Sequence, residues 1–266
     1  MIIDFHTHFF PDKIAEKAMA VLAESAKTAK IFPQSKATLE DNLQYMKNSG
    51  IDKMVALNIA VVPKQEKSIN EFVINIKHPD IIAFGSVHPD SKSWEDELNK
   101  LVAYGIRGVK FHPEYQQVDA DDSRWYPIYE FCTYHNLIMS VHCGYDVAYP
   151  ETRRATPKMM ARLSGHFKGS KFVCAHFGGM LMWDEVFNEL AGKAVYIDTS
   201  MCDGWLELEL AKKIVNKHGA ENVLFGSDLP WGSAVNNIKY IEQLNLGTQA
   251  TLAILGDNAE RLLKRS

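Results

Sequence analysis

Two histidines near the start of the chain, His6 and His8, are separated by one residue within a run of apolar and aromatic residues. Side chains two positions apart on a strand project to the same face, about 7 Å apart. The pair can therefore present two imidazoles to one cation, and Asp4 is predicted to share their face. Because a lone His-x-His pair is a weak signal, two buried structural histidines are the alternative interpretation.

Further strand-like runs end in titratable residues of the same kinds. These residues are Lys110 and His112, His142, His176 and Asp228. Burying several such groups at one end of a fold is costly unless they share a charge partner. A divalent cation is the simplest partner, since imidazole and carboxylate are ligands that zinc prefers.

The elements that position these residues are short apolar runs separated by helical patterns. The eight runs are Ile2–His8, Lys53–Ala60, Ile81–His88, Ile106–His112, Leu137–His142, Lys171–His176, Ala194–Thr199 and Asn222–Asp228. Their nearly continuous hydrophobicity is typical of parallel strands that are covered on both faces. Eight such units in about 250 residues predict an α/β fold, a single (β/α)8 TIM barrel with parallel strands. We assign residues 1–266 to this one domain.

A doubly wound open sheet is the alternative fold. That fold usually carries a glycine-rich phosphate-binding turn after its first strand. Here the corresponding segment reads His-Thr-His-Phe-Phe-Pro. The closed barrel is therefore favoured.

The composition narrows the function classes. The chain has 266 residues, 46% of them hydrophobic, and 29 basic against 33 acidic side chains give a net charge of −4. This balance provides no basic surface for nucleic acid or an anionic membrane. We see no membrane-spanning stretch, no signal peptide and no Cys-x-x-Cys pair, and we expect a cytoplasmic protein with free thiols.

Two long connections fall where a barrel places its active site. Residues 9–37 follow the first run, and residues 144–157, with Arg153 and Arg154, follow the fifth. Either segment could be a lid over the barrel mouth, or an ordinary surface insertion. Trp231, shortly after Asp228, is predicted to form a pocket wall, with packing under the rim as the alternative.

The ordered set of motifs resembles the amidohydrolase superfamily. It is most similar to the amidohydrolase-related branch, which includes aminocarboxymuconate-semialdehyde decarboxylases and related hydrolases. The resemblance runs from the first strand to the last helix. The motifs that carry it are Ile3-Asp-Phe-His-Thr-His, His142, Ala175-His-Phe-Gly-Gly, Tyr196-Ile-Asp-Thr-Ser, Phe225-Gly-Ser-Asp-Leu-Pro-Trp and Ile254-Leu-Gly-Asp-Asn-Ala-Glu-Arg-Leu-Leu.

The resemblance implies a metal centre. Its ligands would be His6, His8, His142 and Asp228. Asp228 would also accept a proton, and His176 would act as the nearby acid, base or anion-stabilising group. One ion is favoured over two, and zinc is preferred over manganese or iron.

Lys110 has three interpretations. In binuclear members of the superfamily, a lysine at the end of the fourth strand is carboxylated and bridges two metals. Pairing with a substrate carboxylate is preferred here, and pairing with Glu114 is the structural alternative.

The function expected from the resemblance is hydrolysis by a metal-activated water. The substrate is expected to be a small anionic molecule that bears a carboxylate. Lys110, His112, Arg153 and Trp231 are the candidate substrate-binding residues. A metal-dependent, non-oxidative decarboxylase is the alternative, and a non-catalytic binding or scaffold barrel is a third interpretation. A homodimer is possible, and no nucleic-acid or membrane partner is expected.

Overall fold

Strands and helices alternate along residues 1–264, the part of the chain that this computed structural model describes. The strands are β1 (Ile3–Thr7), β2 (Lys53–Leu57), β3 (Ile81–Phe84), β4 (Gly108–Phe111), β5 (Ile138–Val141), β6 (Lys171–Cys174), β7 (Tyr196–Asp198) and β8 (Val223–Leu224). The helices are α1 (Asp12–Lys27), α2 (Leu39–Asn48), α3 (Glu66–Asn75), α4 (Trp94–Ala103), α5 (Pro113–Gln116), α6 (Tyr126–Tyr134), α7 (Pro157–His166), α8 (Trp183–Glu185), α9 (Leu208–His218), α10 (Ala234–Gln243), α11 (Thr248–Leu252) and α12 (Asn258–Leu263). The single domain predicted for residues 1–266 extends two residues beyond the described part.

The eight parallel strands form the wall of one barrel. They pair as β1-β2-β3 and as β4-β5-β6-β7-β8. A parallel bridge between Gly85 and Val109 joins β3 to β4. At the other edge, the Phe5 amide donates to the Phe225 carbonyl at 2.8 Å, and the His8 amide donates to the Leu229 carbonyl at 2.7 Å. The predicted (β/α)8 barrel is confirmed.

The core has two layers, as expected for a sheet that is buried on both faces. A small cluster inside the barrel contains one or two side chains from most strands: Ile3, Phe5, Val55, Leu57, Phe84, Ile138, Val173 and Leu224. A larger cluster fills the space between the strands and the helices. These two layers hold the strands in place, and the polar residues lie at the carboxyl ends of those strands, in the barrel mouth.

All eight predicted strands exist, but their carboxyl ends lie one to four residues earlier than expected. His176 and Asp228 were assigned to strands and instead have left-handed backbones, with φ of 57° and 68°. This conformation ends the hydrogen-bonded ladder and turns the chain into the mouth. Apolar content alone does not reveal that turn.

The predicted common face for Asp4, His6 and His8 is wrong. The register between β1 and β2 shifts after Asp4, so simple alternation does not hold along β1. Asp4 is in register with Met54, which packs in the outer layer. His6 and His8, beyond the shift, reach the mouth.

Candidate active site

Two histidines of β1 and the carboxylate after β8 meet at the barrel mouth. Nε2 of His8 lies 3.0 Å from Oδ1 of Asp228, and Nε2 of His6 lies 3.3 Å from the same oxygen. These three ligand atoms lie within 4.8 Å of one another. Residues 220 positions apart in the chain therefore form a cluster with the donors of a divalent metal site.

Hydrogen bonds fix which nitrogen of each β1 imidazole is free. Nδ1 of His8 lies 2.9 Å from the Leu57 carbonyl, which can only accept, so this nitrogen carries a proton. Nδ1 of His6 lies 2.9 Å from a carboxylate oxygen of Asp198 and likewise donates. Nζ of Lys110 lies 3.3 Å from Nε2 of His6. In the neutral rings, both Nε2 atoms keep their lone pairs and face Asp228.

A serine after β7 also determines which ring nitrogen carries the proton in two more histidines. The Ser200 hydroxyl donates its one proton to Asp198 in a short hydrogen bond. It therefore accepts from Nδ1 of His176, at 2.9 Å. Nε2 of His176 is then left to accept from Nδ1 of His142, at 3.0 Å. Nε2 of His142 keeps its lone pair, is buried and has no hydrogen-bond partner among the described residues.

Electrostatics support the same protonation states. Burial, followed by the charge of Lys110, lowers the pKa of His6 to about 4. Burial also lowers the pKa of His176 and of His142. Burial opposes ionisation of Asp228, but the neighbouring imidazoles, with His6 the largest contributor, bring its pKa to about 2. Neutral imidazoles and an ionised carboxylate are the forms that bind a metal, so the donor set fits a divalent cation.

His142, the fourth predicted ligand, lies in a neighbouring cluster with His112 and Asp146. The His112 and His142 rings stack at 4.1 Å. Their Nε2 atoms lie 3.5 and 3.8 Å from one Asp146 oxygen. Nδ1 of His112 accepts from the Tyr115 amide, which places the His112 proton on Nε2 and leaves that atom a donor. The structure thus gathers three of the four predicted ligands and sets His142 beside them.

The loop that carries Asp228 is held by Asp4. The Asp4 carboxylate accepts from the Ser227 hydroxyl at 2.5 Å, the Ser227 amide at 2.9 Å and the His6 amide at 3.1 Å. The Asp228 amide donates to the His6 carbonyl at 2.8 Å. These bonds join the two parts of the cluster, His6 on β1 and Asp228 after β8. The role of Asp4 is thus to hold β1 against the loop after β8.

The buried carboxylate of Asp4 predicts that the stability of the folded protein depends on pH. Burial raises its pKa to about 7, whereas aspartate in an unfolded chain titrates near 4. Because the folded value is higher, this stabilisation is complete below about pH 4 and is lost as pH rises through 7. Asp4→Asn keeps the acceptor without ionising. We expect its melting temperature to fall less between pH 4 and 8 than that of the wild type.

Thermal melts of both proteins across this range, without added metal, test the prediction. Asp184→Asn, at an exposed position on α8, is the control and should follow the wild type. An equally steep decline in Asp4→Asn would contradict the assignment.

A cavity of about 210 Å³ opens above the cluster. Of the predicted substrate-binding residues, Lys110, His112 and Trp231 line it. Nζ of Lys110 contacts His6, as described, and within residues 1–264 it forms no ion pair or hydrogen bond with Glu114. Arg153 does not line the cavity: its guanidinium stacks on the Tyr145 ring at 4.8 Å and donates to backbone carbonyls. The structure therefore does not bring Arg153 to the site.

Sequence reasoning missed three residues here. Ser200 belongs to a motif, Tyr196 to Ser200, whose sequence was noted without a role for its last residue. Asp146 lies in the segment 144–157, in which the sequence predicts a role only for the arginines. Asn58 follows β2 and lines the cavity, and no motif marked it. Ser200 and Asp146 follow predicted strand ends, whereas Asn58 lies within the predicted run Lys53–Ala60. The signal that could have found all three is their position near the carboxyl end of a predicted strand.

Comparisons with known proteins identify the family. A family model described as Amidohydrolase matches residues 3–265, so the chain belongs to the amidohydrolase family. No curated protein matches the chain. Among residues 1–264, no helix is both long and apolar enough to cross a bilayer.

Solved structures share the fold at low identity. An uncharacterised TIM-barrel protein from Bordetella bronchiseptica is 20% identical, with a TM-score of 0.76 over 98% of each chain. A 5-carboxyvanillate decarboxylase from Novosphingobium aromaticivorans with bound manganese is 12% identical, with a TM-score of 0.73 over 100% of this chain and 97% of that one. A putative 2-pyrone-4,6-dicarboxylic acid hydrolase from Pseudomonas putida is 17% identical, with a TM-score of 0.68 over 98% of this chain and 97% of that one.

Proposed function

We propose that this protein is a metal-dependent hydrolase that acts on a small, carboxylate-bearing substrate. The observation that carries the proposal is that hydrogen bonds fix the protonation of the histidine rings at the barrel mouth. Protons held on the Nδ1 atoms of His6 and His8 leave two Nε2 lone pairs directed at the ionised Asp228. Without a cation between them, such atoms would repel one another at this distance.

His6, His8 and Asp228 would hold the ion, with His142 as the further predicted ligand. A divalent cation bound there supplies a Lewis acid that lowers the pKa of water from about 15.7 toward 7. Zinc is our first choice for this donor set, which also suits manganese and iron. We propose one ion rather than two.

The chain's own residues then move protons and hold the substrate. Asp228, ionised at neutral pH, accepts a proton from the attacking water. Nδ1 of His176 is held by Ser200, and Nε2 accepts from Nδ1 of His142 at 3.0 Å, so Nε2 would take up and return a proton when the bond from His142 is released. Lys110 would pair with the substrate carboxylate. Donors at this end of the cavity stabilise negative charge that develops on the substrate.

A non-oxidative decarboxylase on the same scaffold is the second candidate. The similarity to a 5-carboxyvanillate decarboxylase, which covers the whole of this chain, favours it. In this reaction the substrate carboxylate leaves as CO₂, and a proton is delivered to the carbon that loses it. Asp228 and His176 are the groups that can carry that proton.

Metal analysis of the purified protein tests whether a metal is bound, which both candidate functions require. We expect about one equivalent of zinc, manganese or iron in the wild type and a large loss of that metal in His6→Ala, because one of the clustered imidazoles is gone. Exposed His166→Ala is the control and should keep its metal. Unchanged metal content in His6→Ala would contradict the metal site and favour a non-catalytic barrel.

A product assay then separates the two reactions. The protein is incubated with lactones, amides and unsaturated or aromatic carboxylates while CO₂ release is followed. Turnover of a lactone or amide supports the hydrolase. Release of CO₂ without such turnover would instead assign the decarboxylase.

A further inference from the structure

The cavity above the cluster is polar at its floor and apolar on its walls. The floor consists of the strand-end residues of the cluster. The walls come from α1, α3 and α5 and from the loops after the strands, and apart from Ser25, Asn58 and Asp146 these segments contribute apolar or aromatic side chains. Examples are Phe10, Leu22, Ile59, Val61 and Trp231.

Positive charge is confined to the floor. Lys110 is the one lysine among the described residues that line the cavity, and no arginine of residues 1–264 lines it. The arginines of the loop after β5 have partners of their own: Arg153 stacks on the wall residue Tyr145 without lining the cavity, and Arg154 forms a 2.8 Å ion pair with Asp119. A second carboxylate on a substrate would lie against apolar walls and lose its hydration without a partner.

Asn58 is the exception on the wall. It is 4% exposed, follows β2 directly and lines the cavity. Its Nδ2 has no hydrogen-bond partner among the described residues. Leaving a buried amide donor unpaired destabilises the folded protein. Buried amides elsewhere are paired: Nδ2 of Asn258 donates to the Ala220 and Val223 carbonyls at 2.7 and 2.8 Å.

We propose that the substrate carries one ionised group, held at the floor, on an otherwise uncharged apolar body with an oxygen that accepts a hydrogen bond from Asn58. This inference rests on the proposed function and specifies its substrate class. The wall chemistry disfavours dicarboxylates, and the unpaired Asn58 amide favours an uncharged oxygen. Asn58 is accordingly a substrate-binding residue.

Three aromatic acids of nearly equal shape test the charge requirement by calorimetry on the metal-loaded protein. They are 4-acetylbenzoate, 4-isopropylbenzoate and terephthalate, which differ in whether the para group is a neutral acceptor, apolar or ionised. We expect 4-acetylbenzoate to bind about tenfold more tightly than terephthalate and several-fold more tightly than 4-isopropylbenzoate. Equal or tighter binding of terephthalate, or binding of none of the three, would overturn the substrate class. Because binding needs no turnover, this result is independent of the hydrolysis and CO₂ assays.

Asn58→Leu tests the hydrogen bond. We expect it to weaken 4-acetylbenzoate to the affinity of 4-isopropylbenzoate and to leave the latter within about twofold. Because the amide is unpaired in the protein, the variant should melt at the same or a higher temperature. The matched control Asn258→Leu removes a paired amide and should melt at a lower temperature. A lowered melting temperature in Asn58→Leu without a selective loss of 4-acetylbenzoate would show a structural role and overturn the assignment.

Discussion

Asp228→Ala is expected to lower kcat/KM by about 10⁴-fold or more and to abolish metal binding. The residue combines two functions: it supplies the anionic oxygen of the cluster, 3.0 Å from His8, and it is the proposed proton acceptor. Loss of acid–base catalysis alone costs about 10²–10⁴-fold, and loss of the metal adds to that. The measurements are steady-state kinetics and metal content on the same preparation.

Asp228→Asn separates these two functions. It keeps an oxygen that can bind a cation, but it cannot accept the proton. We therefore expect it to retain more metal than Asp228→Ala while losing nearly as much activity. Exposed Asp184→Ala is the control and should behave as the wild type. Near wild-type turnover in metal-replete Asp228→Asn would refute the assignment of Asp228 as the proton acceptor.

The second large effect is expected at His176. His176→Ala should lower kcat by about 10²–10⁴-fold while the metal content stays close to that of the wild type. The reason is geometric. The His176 ring packs 5.1 Å from the His6 ring, but its nitrogens bond to Ser200 and His142 and do not join the Asp228 cluster.

The retained metal distinguishes a proton carrier from a ligand. If His176→Ala loses the ion as completely as His6→Ala, His176 is a ligand and the proposed division of roles fails. Activity should also lose its dependence on the protonation of this imidazole, which is visible in the pH profile of kcat. An unchanged profile would point to a purely structural contribution.

Most residues of the site could be predicted from the sequence because they follow the carboxyl ends of parallel strands. In a closed parallel barrel all carboxyl ends meet at one face. Polar residues that follow separate strand-like runs therefore had to lie together, whatever their distance in the chain. His6, His8 and Asp228 meet this expectation directly, and Lys110, His112 and His176 line the same cavity.

The remaining features depend on contacts that no local pattern encodes. The register shift after Asp4 turns that carboxylate away from the histidines and into a bond with Ser227. Arg153 faces Tyr145 because the loop after β5 folds back on itself. Asn58 is distinguished by its buried Nδ2, which has no hydrogen-bond partner within residues 1–264.

The sequence by itself determined the barrel and the chemical character of its mouth. Strand and helix periodicity, with donors at strand ends, depend on residue type and order alone. Tertiary structure decided which nitrogen of each imidazole is free, because Asp198, Ser200 and the Leu57 carbonyl hold the other one. It also decided that the positive charge stays at the floor of an otherwise apolar cavity. The direction of a hydrogen bond and the orientation of a side chain depend on the residues that surround it in space. Those residues come from distant parts of the chain.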